Sequence, residues 1–143
     1  MEEIIRGTLF QDNSFECIDF NGLQLEKLVS CENPNSRDVI MVYIKVKDKE
    51  WHQFFLDVGY GFWQNYEGID PTDEENTEPE YNYVDKSSEW NLTGKTITKI
   101  FCVPDDKNCS ITIEFNESKK LILKTREPQI FYSDCELLFI SSL

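Results

Sequence analysis

Residues 39–46 read VIMVYIKV and residues 51–58 read WHQFFLDV, with only KDKE between them. Side chains this rich in β-branched and aromatic residues favour an extended chain. The first run is nearly apolar throughout, which marks it as a central strand. Lys47-Asp48-Lys49-Glu50 is a turn of hairpin length, so the two runs are predicted to pair antiparallel. The same signal recurs downstream in shorter form. TITKIFCV (96–103), SITIEF (110–115), LILKT (121–125) and CELLFI (135–140) are separated by polar stretches at 104–108 and 116–120 and by Glu127-Pro128. Upstream, FECIDF (15–20) and LQLEKLVSC (23–31) flank Asn21-Gly22, a pair that tolerates positive φ and predicts a hairpin. Asn33-Pro34-Asn35-Ser36 is turn chemistry, and Gly59-Tyr60-Gly61 reads as a bend or bulge ending the 51–58 strand.

Helix signals are weak. Thr72-Asp73-Glu74-Glu75 resembles a capping box and predicts one short helix, and a second is placed at the first residues. The expected fold is therefore a β-dominated α+β single domain over residues 1–143. Its strands are mainly antiparallel, as a meander, sandwich or curved sheet, with at most one or two short helices. It divides into a first β half (1–63), an acidic loop (64–89) and a second β half (90–143). At 143 residues and 40% hydrophobic, the chain can bury one core without covalent staples.

Charge narrows the partners. The chain carries 27 acids against 14 bases, a formal net charge of -13. Phosphate backbones and anionic membrane surfaces are repelled by such a surface, which points away from nucleic acid and membrane and towards a basic protein. The excess is local. Ten acids lie from Glu50 to Asp85, with no Lys or Arg between Lys49 and Lys86, which leaves 17 acids against all 14 bases elsewhere. Within this stretch Glu67, Asp70, Asp73, Glu74, Glu75, Glu78 and Glu80 are flanked by Trp63 and Tyr66 on one side and Tyr81 and Tyr83 on the other. Acids beside Tyr and Trp suit an interface, the acids for selectivity and encounter rate, the rings for buried area. These eleven residues form the candidate partner-binding set. The competing reading is a solvated loop whose aromatics pack on the domain's own core. A calcium loop is disfavoured, because DPTDEEN from Asp70 lacks the alternating ligand spacing.

Signals for chemistry are sparse. His52 is the only histidine, it sits early in a predicted strand, and it reads as structural. No zinc spacing, phosphate-binding glycine loop or nucleophile elbow is present. No catalytic residue, metal ligand or cofactor is assigned. Cys17, Cys31, Cys102, Cys109 and Cys135 are odd in number, widely spaced and without C-x-x-C. With no export signal and no apolar run of membrane-spanning length, reduced thiols in a cytoplasm are expected.

The second half resembles the small immunity proteins of bacterial polymorphic and contact-dependent growth inhibition toxin systems. The resemblance rests on Leu92-Thr-Gly-Lys-Thr-Ile-Thr-Lys-Ile, Ser110-Ile-Thr-Ile-Glu-Phe, Lys120-Leu-Ile-Leu-Lys and Asp134-Cys-Glu-Leu, about a third of the chain. It is a pattern of strands and turns, and no functional residue of the family carries over. It implies an acidic, β-rich antitoxin that neutralises a basic, nuclease-like toxin by blocking its active site. The alternatives are a phage-encoded inhibitor mimicking nucleic-acid charge, a small enzyme using His52 with carboxylates, and a structural or scaffold subunit.

Overall fold

The computed structural model describes residues 9–57, 59–66, 68–105, 109–126 and 135–141. Strand accounts for 58% of the structure and helical turns for 8%, so the expected β-dominated, antiparallel single domain is what the chain forms. The strands are β1 (Leu9–Asp12), β2 (Phe15–Glu16), β3 (Leu25–Glu32), β4 (Val39–Val46), β5 (Trp51–Asp57), β6 (Tyr60–Asn65), β7 (Asn82–Asp85), β8 (Ile97–Pro104), β9 (Cys109–Phe115), β10 (Lys119–Thr125) and β11 (Cys135–Ser141). One sheet has the order β1-β6-β5-β4-β3-β7, the other β11-β10-β9-β8-β2. The sheets face each other, with β5 against β9 and β10, β4 against β11, and β6 against β9.

The core lies between them. Val42, Ile44 and Val46 of β4, Phe54 and Leu56 of β5, Ile111, Ile113 and Phe115 of β9, and Leu121 and Leu123 of β10 alternate inward and are buried. That period of two is what a strand imposes on its side chains. β4 keeps it only to Met41. A bulge opposite Cys31 and Glu32 shifts the register by one, so Val39 also turns inward.

The two predicted hairpins fare differently. Lys45 pairs with Trp51, Asp48 takes φ 65° and Lys49 N–H donates to Val46 O at 3.1 Å, so the Lys47–Glu50 hairpin is present. The Asn21-Gly22 hairpin is not. β2 pairs with β8 and β3 pairs with β4 and β7, so the strands on either side of Asn21-Gly22 belong to different sheets. Gly22 does take the positive φ its position suggested, 88°, but after a 3-10 turn over Ile18–Phe20 that sends the chain across the sandwich. Gly59 (φ 83°) lies between paired Asp57 and Tyr60. The strand ends there as the sequence suggested, and Gly59 turns the chain directly into a further hairpin with β6, of which Gly61 is already part. Near Thr72 the helix is a single 3-10 turn, Glu74–Asn76, whose cap position Asp73 makes no side-chain cap bond. Among the described residues the one α-turn is α1 (Lys86–Glu89), where Asp85 accepts from Ser88 N–H. The helix expected at the first residues lies outside the described residues, as does Val58.

Close packing between the sheets is visible at Gly61. A Cβ there would stand 2.6 Å from Cys102 Sγ and 3.2 Å from Phe15 Cε2. Gly61→Ala is expected to cost about 1–3 kcal/mol in urea unfolding. Shortening the opposing side chain should recover most of it, so that Gly61→Ala with Cys102→Ala lies well above the sum of the two single losses. Strict additivity would mean that the close approach is not what Gly61 is for.

Candidate functional site

The acidic stretch is a built structure. The loop from β6 to β7 folds back over the outer face of the first sheet, where Val29, Cys31, Tyr43, Trp51 and Tyr66 form a second core with Met41, Ile69, Tyr81 and Tyr83 packed against it. Tyr43 meets Tyr66 edge-on at 5.6 Å and stacks with Tyr83 at 6.5 Å. Gln53 Nε2 donates to Tyr66 Oη at 3.0 Å, and Glu78 N–H donates to Tyr83 Oη at 3.0 Å. Burial pushes the Tyr83 hydroxyl up to about 12 and the Cys31 thiol up to about 11. The loop also braces itself. Asp70 Oδ1 accepts from the amide and hydroxyl of Thr72, Asn76 Nδ2 donates to Asp70 O, and Gly68 N–H donates to Glu50 Oε1 at 3.0 Å.

This placement divides the eleven candidate residues. Tyr66, Tyr81 and Tyr83 form the under-layer of the loop, with Tyr66 buried and the other two half-buried. Asp70 is half-buried and hydrogen-bonded within the loop. Asp73, Glu74, Glu75, Glu78 and Glu80 are exposed. None of these five makes an ion pair among the described residues. Glu67 lies outside the described residues. Trp63 is not with the tyrosines at all. On β6 it alternates to the opposite face, where it stacks on Phe54 at 6.4 Å and meets Phe20 at 6.0 Å.

Trp63 instead belongs to a cleft of about 560 Å³ at one end of the sandwich. The 3-10 turn supplies Asp19 and Phe20, β1 supplies Phe10, the β4–β5 turn supplies Asp48, Lys49 and Glu50, and the paired strands β5 and β6 supply His52, Trp63 and Asn65. His52 is 8% exposed. Its Nδ1 accepts the Trp63 indole N–H at 3.1 Å, and Phe20 packs edge-on to the ring at 4.7 Å. Indole nitrogen only donates, so Nδ1 is unprotonated and the imidazole proton sits on Nε2. Burial, helped by Lys49, pushes the His52 pKa down to about 4. Neither a nucleophile nor a carboxylate is hydrogen-bonded to His52 among the described residues.

The cleft was only partly visible in the sequence. His52 shares the parity of Phe54 and Leu56, so strand alternation alone places it inward. Phe10, Phe20 and Asn65 arrive from β1, the 3-10 turn and β6, and no local spacing joins them. Among the described residues, no group of three or more His, Cys, Asp or Glu is placed to hold a metal. No helix among them is long and apolar enough to cross a membrane. Comparison with family models finds none that matches the chain, and comparison with curated proteins and with solved structures likewise finds no match.

The depressed His52 pKa has a direct readout, since no other histidine is present. Its Hε1 resonance should titrate with a midpoint near 4 in the folded protein. The unfolded chain takes up this proton first, from about pH 6.5 downwards. Folding stability attributable to His52 is therefore full above about pH 6.5 and falls as pH drops to about 4, by of order 2–3 kcal/mol. Unfolding of wild type and His52→Gln compared between pH 7 and 4 should show that difference. A midpoint near 6.5 would mean an open, solvated ring.

Proposed function

We propose that this chain is an acidic binding domain that neutralises a basic partner protein, acting as an immunity protein that covers the active site of a nuclease-like toxin. One observation carries the reading: Asp73, Glu74, Glu75, Glu78 and Glu80 are exposed and without ion pairs among the described residues, on a loop pinned to the sheet by its own tyrosines. Crowded like charges repel one another, and a folded chain keeps them on a rigid support only against that cost. A cationic groove offsets it on contact, and the rigid support spares the ordering entropy that a mobile loop would lose. Such surfaces speed encounter and select partners more than they add raw affinity.

The resemblance of residues 92–140 to immunity proteins supplies the class of partner. A cytoplasmic site of action and a role without catalysis belong to the same proposal. The tyrosines serve here as the platform of the surface, since their rings are engaged beneath the loop.

The test begins with affinity capture on the immobilised protein at low and at 0.5 M salt, roughly a 3–4-fold change in screening length across the range used. The captured protein is expected to be basic and to elute with salt. A variant with Asn or Gln at Asp73, Glu74, Glu75, Glu78 and Glu80 should fold, by circular dichroism, and associate with that partner about tenfold more slowly at low salt. Equal rates for wild type and variant at both salt concentrations would move the interface off the loop. A captured partner of net negative charge would end the reading.

A further inference from the structure

The cleft at the end of the sandwich lies on the other face of the first sheet from the acidic loop and shares with it only Glu50 among its lining residues, and its chemistry is more specific. Three aromatic rings, Phe10, Phe20 and Trp63, wall it. At its floor, His52 and Asn65 are direct partners across the β5–β6 ladder, so their side chains stand side by side on one face. Asn65 Oδ1 is buried and has no hydrogen-bond partner among the described residues. His52 is 8% exposed, and with Nδ1 taken by Trp63 its Nε2–H is the donor left to offer; no hydrogen bond to it is formed among the described residues. Unsatisfied polar atoms beneath apolar walls are costly in a protein that leaves them empty-handed. A ligand that presents an acceptor to His52 and a complementary amide-like edge to Asn65 removes that cost.

The same atoms rank other ligands. A guanidinium or ammonium carries donors only, so it can satisfy Asn65 Oδ1 and the lining acids but leaves His52 Nε2–H unpaired. An anion meets Asp19, Asp48 and Glu50 at the mouth, with Lys49 the one base among the lining residues. The volume falls within the range of small-molecule sites, and aromatic walls favour a flat ring.

We propose that this cleft is a binding site for a small, planar molecule that carries a carboxamide or lactam edge and no negative charge. The ring lies among Phe10, Phe20 and Trp63, its carbonyl accepts from His52 Nε2–H, and a turn of the Asn65 side chain brings Oδ1 out of its buried position to accept from the ligand N–H. Because burial and the Trp63 hydrogen bond hold the imidazole neutral, this pattern of donor and acceptor persists through physiological pH. Nothing in this site depends on the partner-binding role of the acidic loop, and either can stand without the other.

Nicotinamide and nicotinate are a suitable pair of probes, being flat rings that differ in the carboxamide edge and the charge. Both are titrated into the full chain, following the three tryptophan indole N–H resonances, with Trp63 assigned through Trp63→Phe. Nicotinamide is expected to shift the Trp63 indole saturably, with an affinity in the millimolar range ordinary for so small a ligand. Nicotinate should bind at least about tenfold more weakly at low salt, with the gap narrowing as salt screens the mouth. Asn65→Leu keeps the volume and removes the orphan oxygen. It should unfold at an equal or higher temperature yet lose at least about tenfold in nicotinamide affinity. Should that variant fail to fold, Asn65→Val, which suits a strand and likewise carries no oxygen, is expected to lose binding in the same way. No saturable shift by roughly 50 mM nicotinamide, a limit well beyond ordinary fragment affinity, overturns the proposal. So does equal binding of nicotinate, or wild-type affinity in a folded Asn65 variant.

Discussion

The two sheets are tied together by backbone hydrogen bonds at one corner, and the architecture depends on that tie. Residues 22–25 run between them. Gly22 N–H donates to Ile97 O, Ile97 N–H to Leu23 O and Leu25 N–H to Lys95 O, all toward the start of β8. On the other side Lys47 N–H donates to Gln24 O, at the end of β4. One short segment thus satisfies its polar backbone against both sheets, while Leu25 is buried between them. Buried backbone groups need partners, so a chain that passes between layers must do so along such a ladder. With this corner holding the start of β8 beside the end of β4, the inward rows of β4, β5, β9 and β10 face one another across the core.

That corner is also why Asn21-Gly22 misled. The pair does what its chemistry allows, a positive φ at Gly22. A hairpin, however, needs the two flanking runs to pair, and Phe15–Glu16 finds β8 instead. The competing partner, Phe101 and Cys102, lies far along the chain, and nothing local announces it. The Lys47–Glu50 hairpin was legible because both of its strands are long, apolar and adjacent in the sheet. The meander β8–β11 was legible for the same reason, its strands being adjacent in the chain and alternating in burial. Sequence reasoning works where partners are neighbours in the chain, since there the loop-closure cost is small and the pattern is contiguous.

The site follows the same division. The acids between Lys49 and Lys86 were legible as a charge run, because charge is read from composition alone. The aromatics beside them were not, because Trp63 and Tyr66 are separated by three positions and so face opposite sides of the sheet. Strand parity sends Trp63 to the cleft and leaves the loop's tyrosines on the outer face. A flank that looked like one patch in the sequence is two, one for each face of the first sheet.

Those two faces carry opposite physical logic. On the outer face, Tyr43, Tyr66, Tyr81 and Tyr83 bury ring area so that a repelling row of carboxylates can be held still above them. The cost there is electrostatic and falls with any cation that approaches. On the inner face, two of the most polar groups of the inward rows, His52 and Asn65, stand at the open end of an otherwise apolar layer. Trp63 satisfies half of His52, and nothing among the described residues satisfies Asn65 Oδ1. A leucine at either position would fill the layer at less cost, as Leu56 does two pairs further along the same strand. The polar pair stands where the sandwich opens, with three rings around it and a mouth of acids. An end cap made only for stability would have been apolar.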